Sequence, residues 1–162
     1  MAPVTLQLRY KILAPDVELP TKAYGDPVGW DLCAHCISET GRAMQAIVPP
    51  RTSKAISTKL VLLPPPGFFI AICSRSGMAT NSVFVANSPG IVDPDYTGEV
   101  KVILYNGGHE SAYIKHGQRI AQAILLPYVR SELVAITEVP STVRGEKGFG
   151  STDNPDSTSV LP

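Results

Sequence analysis

The sequence predicts an all-β protein, a jelly-roll-like antiparallel β-barrel or sandwich, and three observations carry that prediction. Fifteen prolines and 13 glycines are spread along 162 residues and interrupt every stretch that could form a helix. Between them lie short runs rich in β-branched residues, most of them bounded by Gly, Pro, Asn or Asp. No convincing long helix and no internal repeat are present, so the pattern is that of packed antiparallel layers joined by turns.

Taken in order, Val4, Leu6, Leu8 and Tyr10 alternate with Thr5, Gln7 and Arg9, the period-two signature of a half-buried strand. Further strands are expected in KAISTKLVLL (54–63), GFFIAIC (67–73), VFVAN (83–87), EVKVILY (99–105), RIAQAILLP (119–127) and ELVAITEV (132–139). The length fits one average domain, which we place at residues 1–143. From about Gly145 the composition turns to Gly, Ser, Thr, Asp and Pro, so 144–162 is expected to be a glycine-rich arm that is mobile when nothing is bound.

Composition excludes several classes. At 44% hydrophobic and 17% charged, with no apolar run of spanning length, the chain is not expected to enter a membrane. MAPVTLQLRYK lacks the features of a secretory signal, so the expected location is intracellular, in cytoplasm or nucleus, those of a virus-infected cell included. Fourteen basic residues balance 14 acidic ones, leaving no overall field to attract a nucleic-acid polymer. Cys33, Cys36 and Cys73 are an odd number without a secretion signal, which predicts free thiols. Cys33-Ala34-His35-Cys36 resembles half a zinc site, but a second ligand pair is missing and His109 and His116 are distant in sequence, so buried thiols on a strand are expected instead.

Five polar segments stand out. RGEKGFGST (144–152) combines glycines, which let backbone N–H groups face an anion, with Arg144, a phosphate fork, and Phe149, a ring able to stack on a base. It reads as a nucleotide-phosphate lid or as a loose Gly/Ser tail. NSPGIVDPDYTGEV (87–100) is either a plain Asp-Pro hairpin or a rigid hairpin holding Asp93 as a proton acceptor beside Tyr96, and both can be true. CSRSGMA (73–79) offers hydroxyls, a guanidinium and backbone N–H groups for phosphate, or a helix start capped by Ser74 or Ser76 with Arg75 solvated. AYGDPVGWDL (23–32) places Asp31 after turn-forming residues, and a structural hydrogen bond is its plainer role. In GQRIAQ (117–122), Arg119 and Gln122 are at odd spacing, so on a regular strand they need not share a face.

Together and in this order, AYGDPVGWDL, SRSGMA, NSPGIVDPDYTGEV, GQRIAQ and RGEKGFGST closely resemble the five motifs of the homotrimeric dUTP pyrophosphatase (dUTPase) family, over Ala23 to Thr152. The resemblance implies a trimer of jelly-roll subunits with active sites shared between chains, hydrolysis of dUTP to dUMP and pyrophosphate, and Mg²⁺ as cofactor. It implies that Asp31, Arg75, Ser76, Gly77 and Gln122 surround the triphosphate, with Asp31 an outer-shell partner of the metal through water. Asn87, Gly90, Ile91 and Tyr96 would form the uridine pocket of a second subunit, with Asp93 as the catalytic carboxylate that activates water. Arg144, Phe149, Gly150, Ser151 and Thr152 would close the site from a third. The Asn87–Ile91 hairpin would refuse cytosine and thymine, and the Tyr96 ring would refuse a ribose 2′-hydroxyl.

The chain departs from that pattern in places. Lys147 and Asp153 stand where glycines are usual, Ser74 where a proline is common, and Trp30 where a tyrosine is usual, the last with packing expected to survive. Two other readings stay open on sequence: a nucleotide enzyme related to dCTP deaminase, which shares the fold but lacks the Phe149 arm, and a signalling or interaction protein in which catalysis is dispensable.

Overall fold

A computed structural model describes residues 5–22, 25 and 27–146. Eleven strands are described, β1 (Arg9–Ile12), β2 (Gly29–Cys33), β3 (Gln45–Val48), β4 (Ser53–Ser57), β5 (Leu60–Leu63), β6 (Phe68–Cys73), β7 (Val83–Val85), β8 (Gly90–Val92), β9 (Lys101–Asn106), β10 (Ala112–Lys115) and β11 (Arg119–Pro127). The described helix is one turn, α1 (Ser76–Ala79). Every strand pair is antiparallel, in a four-stranded sheet β2-β11-β6-β8, a three-stranded sheet β4-β9-β7, and the pairs β1-β5 and β10-β3. The expected all-β, jelly-roll-like architecture is what forms.

Alternation explains the layering. In β9, Val102, Leu104 and Asn106 are buried while Lys101 and Ile103 are exposed, as one face of a sheet requires. Ile70 and Ile72 of β6, Leu32 of β2, Ile120 of β11, Leu60 and Leu62 of β5, and Ile114 of β10 join them in a single core cluster. Each fully buried Leu or Ile contributes on the order of 1.5–3 kcal/mol of transfer free energy. Asn106 is buried among these apolar groups, and its amide donates to the carbonyls of Val48 and Glu110 at 2.9 and 2.7 Å.

Several expectations need correction. The 4–10 alternation gives a strand only at Arg9–Ile12, paired with Leu60–Leu63, and it is not half-buried: every residue of β1 is exposed, Tyr10 included, as is Leu6, and only Leu8 packs partly against the core; Val4 lies outside the described residues. KAISTKLVLL is two strands in different sheets, since Lys59 at φ 53° turns the chain between them. ELVAITEV forms no strand, and Leu133, Val134, Ile136 and Val139 are exposed. An extended run needs a neighbour to accept its backbone hydrogen bonds, and among the described residues no strand pairs with this one.

The chain divides into two compact units, Met1–Val129 and Arg130–Pro162. All the described strands belong to the first. The described part of the second, 130–146, has no regular secondary structure and includes a turn in which the Gly145 N–H donates to the Thr142 carbonyl at 3.0 Å.

Candidate active site

Asp31 organises the first cleft. It lies on β2 opposite Gln122 of β11 and its backbone N–H is held by the Thr21 carbonyl at 2.8 Å. Its side chain, 12% exposed, receives Arg75 through Nε at 2.8 Å and Nη2 at 3.3 Å, and Arg119 through Nη1 at 3.4 Å. The two-pronged approach of Arg75 matches the planar fork of a guanidinium to the two oxygens of a carboxylate. Two guanidiniums against one carboxylate leave an excess of positive charge.

The solvated arginine and serine-capped helix that SRSGMA could have formed is therefore not what folds. Arg75 itself is the N-cap of α1 and no side chain caps the helix. Ser74 points the other way, its hydroxyl accepting the Val85 N–H at 2.9 Å, while its carbonyl accepts Gln122 Nε2 at 3.0 Å. Arg119 escaped the sequence reading because its parity with Gln122 was odd. A register shift between Arg119 and Ala121 adds a residue to β11, and such a bulge reverses parity, so both side chains reach the Asp31 end.

Pro27, Gly29, Asp31, Arg75, Ser76, Gly77 and Gln122 line a cleft of about 310 Å³. A Cβ on Gly29 would stand 2.9 Å from Gln122 Oε1, so a side chain there would push the Gln122 amide from its place in the cleft. Trp30, on the opposite face of β2, packs against the core with Lys22 Nζ 5.2 Å from its ring centre, so the expected packing role of this large aromatic is met.

A second cleft, of about 450 Å³, is lined by Asn87, Gly90, Ile91, Tyr96, Glu99, Lys101 and Ile103, with Ile72 and Val85. Gly90 is buried and a Cβ on it would meet Asn87 Nδ2 at 3.1 Å, so the Asn87 amide lies directly on the hairpin backbone. The Ser88–Pro89 peptide is cis. The Tyr96 N–H donates to the Asp93 carbonyl at 3.2 Å, closing a turn with Pro94 in the position where its fixed φ is favourable. Asp93 is exposed at the start of that turn. The Tyr96 ring crosses Gly98 so closely that a Cβ there would be 2.5 Å from its hydroxyl, which donates to the Glu99 carbonyl at 3.0 Å.

The two clefts have no lining residue in common. Arg144 belongs to the second compact unit, and Phe149, Gly150, Ser151 and Thr152, like Lys147 and Asp153, lie outside the described residues. A model of the dUTPase family matches residues 16–153. This chain belongs to the dUTPase family. Deoxyuridine 5′-triphosphate nucleotidohydrolases of Nautilia profundicola and Anaplasma marginale are 36% and 38% identical to it, over 91% of this chain and 99% and 98% of theirs. A Staphylococcus bacteriophage 80alpha dUTPase bound to dUpNHpp shares the fold at a TM-score of 0.73 and 22% identity, over 91% of this chain and 99% of that one. The phage phi11 dUTPase, described with a structural Mg(II) ion, has a TM-score of 0.71 at 17% identity, over 84% of this chain and 100% of that one.

The residues of the first cleft are compatible with a metal held mainly through water and substrate phosphates. Both Asp31 oxygens are engaged by arginine, and among the described residues no three His, Cys, Asp or Glu side chains converge. Mg²⁺ binds readily through waters and substrate phosphates, and Asp31 could reach such an ion through water. The Cys33-Ala34-His35-Cys36 segment has other partners: His35 Nε2 lies 3.2 Å from Asp16 Oδ1, and the Cys36 N–H donates to His116 Nδ1 at 3.3 Å. Burial pushes the Cys33 and Cys36 thiols above their ordinary range; Cys33 is buried at the end of β2 as expected, whereas Cys36 is only half-buried and lies on no strand. No described helix is long and apolar enough to cross a membrane.

Proposed function

We propose that this protein is a dUTP diphosphatase whose active site is completed by neighbouring copies of the chain in a homotrimer. The observation that carries this reading is the division of the motif residues between two clefts: Asp31, Arg75, Ser76, Gly77 and Gln122 in one, Asn87, Gly90, Ile91 and Tyr96 in the other. A phosphate cleft of one subunit facing the hairpin of the next would assemble a complete site, with Arg144 and 149–152 of a third subunit closing it.

In the assembled site the uracil edge pairs with the Asn87 side chain and hairpin backbone, and the closeness of Asn87 to Gly90 leaves little room for a C5 methyl group. A pocket whose buried donors go unpaired with the wrong base discriminates by several powers of ten. The Tyr96 ring bars a 2′-hydroxyl, and Phe149 stacks over the base. Arg75 and Arg119 neutralise phosphate oxygens, with Ser76 and Gln122 adding neutral donors. Mg²⁺, when bound, supplies further positive charge to the triphosphate.

Water then attacks the α-phosphorus in line with the departing pyrophosphate, and Asp93 accepts the proton it sheds. A carboxylate is a weak base for water, so most of the acceleration comes from alignment and charge neutralisation. The test is pyrophosphate release with Mg²⁺ from dUTP, dTTP, dCTP and UTP. The parent should strongly prefer dUTP, and Asp93→Asn should lose on the order of 10²-fold or more in kcat. Equal turnover of the four nucleotides, or a full rate in Asp93→Asn, would contradict the reading.

A further inference from the structure

Glu99 has no role in the chemistry above, yet it occupies the junction between the hairpin and the sheet behind it. Its side chain is 15% exposed. Oε1 accepts the hydroxyl of Ser57 at the end of β4 and the N–H of Lys59 at 3.0 Å, and Oε2 stands 3.9 Å from Lys101 Nζ. The next residue continues the joint, with Val100 N–H donating to the Leu60 carbonyl at 2.8 Å and the Thr58 hydroxyl donating to the Val100 carbonyl at 2.6 Å. Glu99 is thus tied to the β4–β5 turn by its side chain and to Tyr96 by its carbonyl, which accepts the phenol at 3.0 Å.

We propose that Glu99 is a positioning residue for sugar selectivity: by pinning the strand after the hairpin to the β4–β5 turn, it holds the Tyr96 ring at the height that separates deoxyribose from ribose. The inference rests on Tyr96 being the wall against the 2′-hydroxyl. The ring has two constraints, the flat surface of Gly98 below it and the Glu99 carbonyl at its tip. Gly98 offers no side chain to hold it, so the position of the carbonyl decides where the ring rests. A carboxylate held by two donors at once fixes that backbone more firmly than a single neutral bond would.

A merely structural glutamate would change stability and overall rate; a positioning one changes a ratio. The experiment measures kcat/KM for dUTP and for UTP in the parent, Glu99→Ala, Glu99→Gln and Ser57→Ala, with thermal melts alongside. Glu99→Ala should narrow the dUTP:UTP ratio by about ten-fold, with Ser57→Ala shifting it in the same direction and giving the readout if Glu99→Ala does not fold. Glu99→Gln keeps an acceptor oxygen for both donors and should retain most of the ratio. A parent that discriminates strongly while Glu99→Ala and Ser57→Ala keep its ratio, even with both rates lowered together, overturns the role of Glu99 alone. A parent that hydrolyses dUTP and UTP alike overturns the reading of Tyr96, and this inference with it.

Discussion

Arg75 is the side chain on which the proposed phosphate cleft depends, and its direction is set by Asp31. The contacts at 2.8 and 3.3 Å span both carboxylate oxygens, and a third, from Nη1 to the Arg119 carbonyl at 3.2 Å, completes the guanidinium's placement. Lysine carries the same charge without the planar fork. Arg75→Lys should therefore fold but bind substrate poorly, with KM for dUTP rising about 10- to 100-fold, the equivalent of one or two charge-assisted bonds. Steady-state kinetics check this, and an unchanged KM would show that charge alone suffices. Asp31 itself was legible in the sequence as a structural hydrogen-bonding residue and, by resemblance, as a metal partner; its partner Arg75 was legible only as a phosphate donor, because β2 and α1 are far apart in the chain.

At the scale of elements, the hairpin and the β4–β5 turn form one clamp. Burial by itself raises the Glu99 pKa, but the hydrogen bonds from Ser57 and Lys59 more than offset it, and the carboxyl lies below its ordinary value. A lowered native pKa means the ionised form favours the fold, so this stability is present above the unfolded value of about 4.3 and is lost as pH falls through the native one. Between about pH 5 and 3 the denaturation midpoint of Glu99→Gln should fall less steeply than the parent's; parallel slopes in urea titrations would contradict the assignment. Strand legibility followed composition more than length. RIAQAILLP coincides with β11 and GFFIAIC with β6, and even three-residue β7 falls within the apolar run VFVAN, whereas β2, β3, β8 and β10 lie outside the runs expected as strands. The bulge at Arg119 was not readable, since bulges depend on the partner strand, and the exposed ELVAITEV run shows that alternation predicts a strand only where a neighbour is there to pair with it.

For the whole molecule, the proposal divides one active site among chains: Arg75 and Asp31 act from one, Asn87, Asp93 and Tyr96 from another. Arg75 and Asp31 line one cleft and Asn87 and Tyr96 another, with no lining residue in common, which supports that division, while Asp93 is exposed on the turn just after β8; the motif order along the sequence made the residues visible without revealing which would meet within a chain. The direct test uses two inactive variants, Arg75→Ala and Asp93→Asn, unfolded together and refolded at equal amounts so that chains mix. If each site draws these residues from different chains, random mixing pairs an intact Arg75 with an intact Asp93 at about a quarter of the sites. dUTP hydrolysis should then return to about a quarter of the parent's rate, far above either variant refolded alone. Mixed oligomers that form yet stay as inactive as their parts would contradict a site shared between subunits.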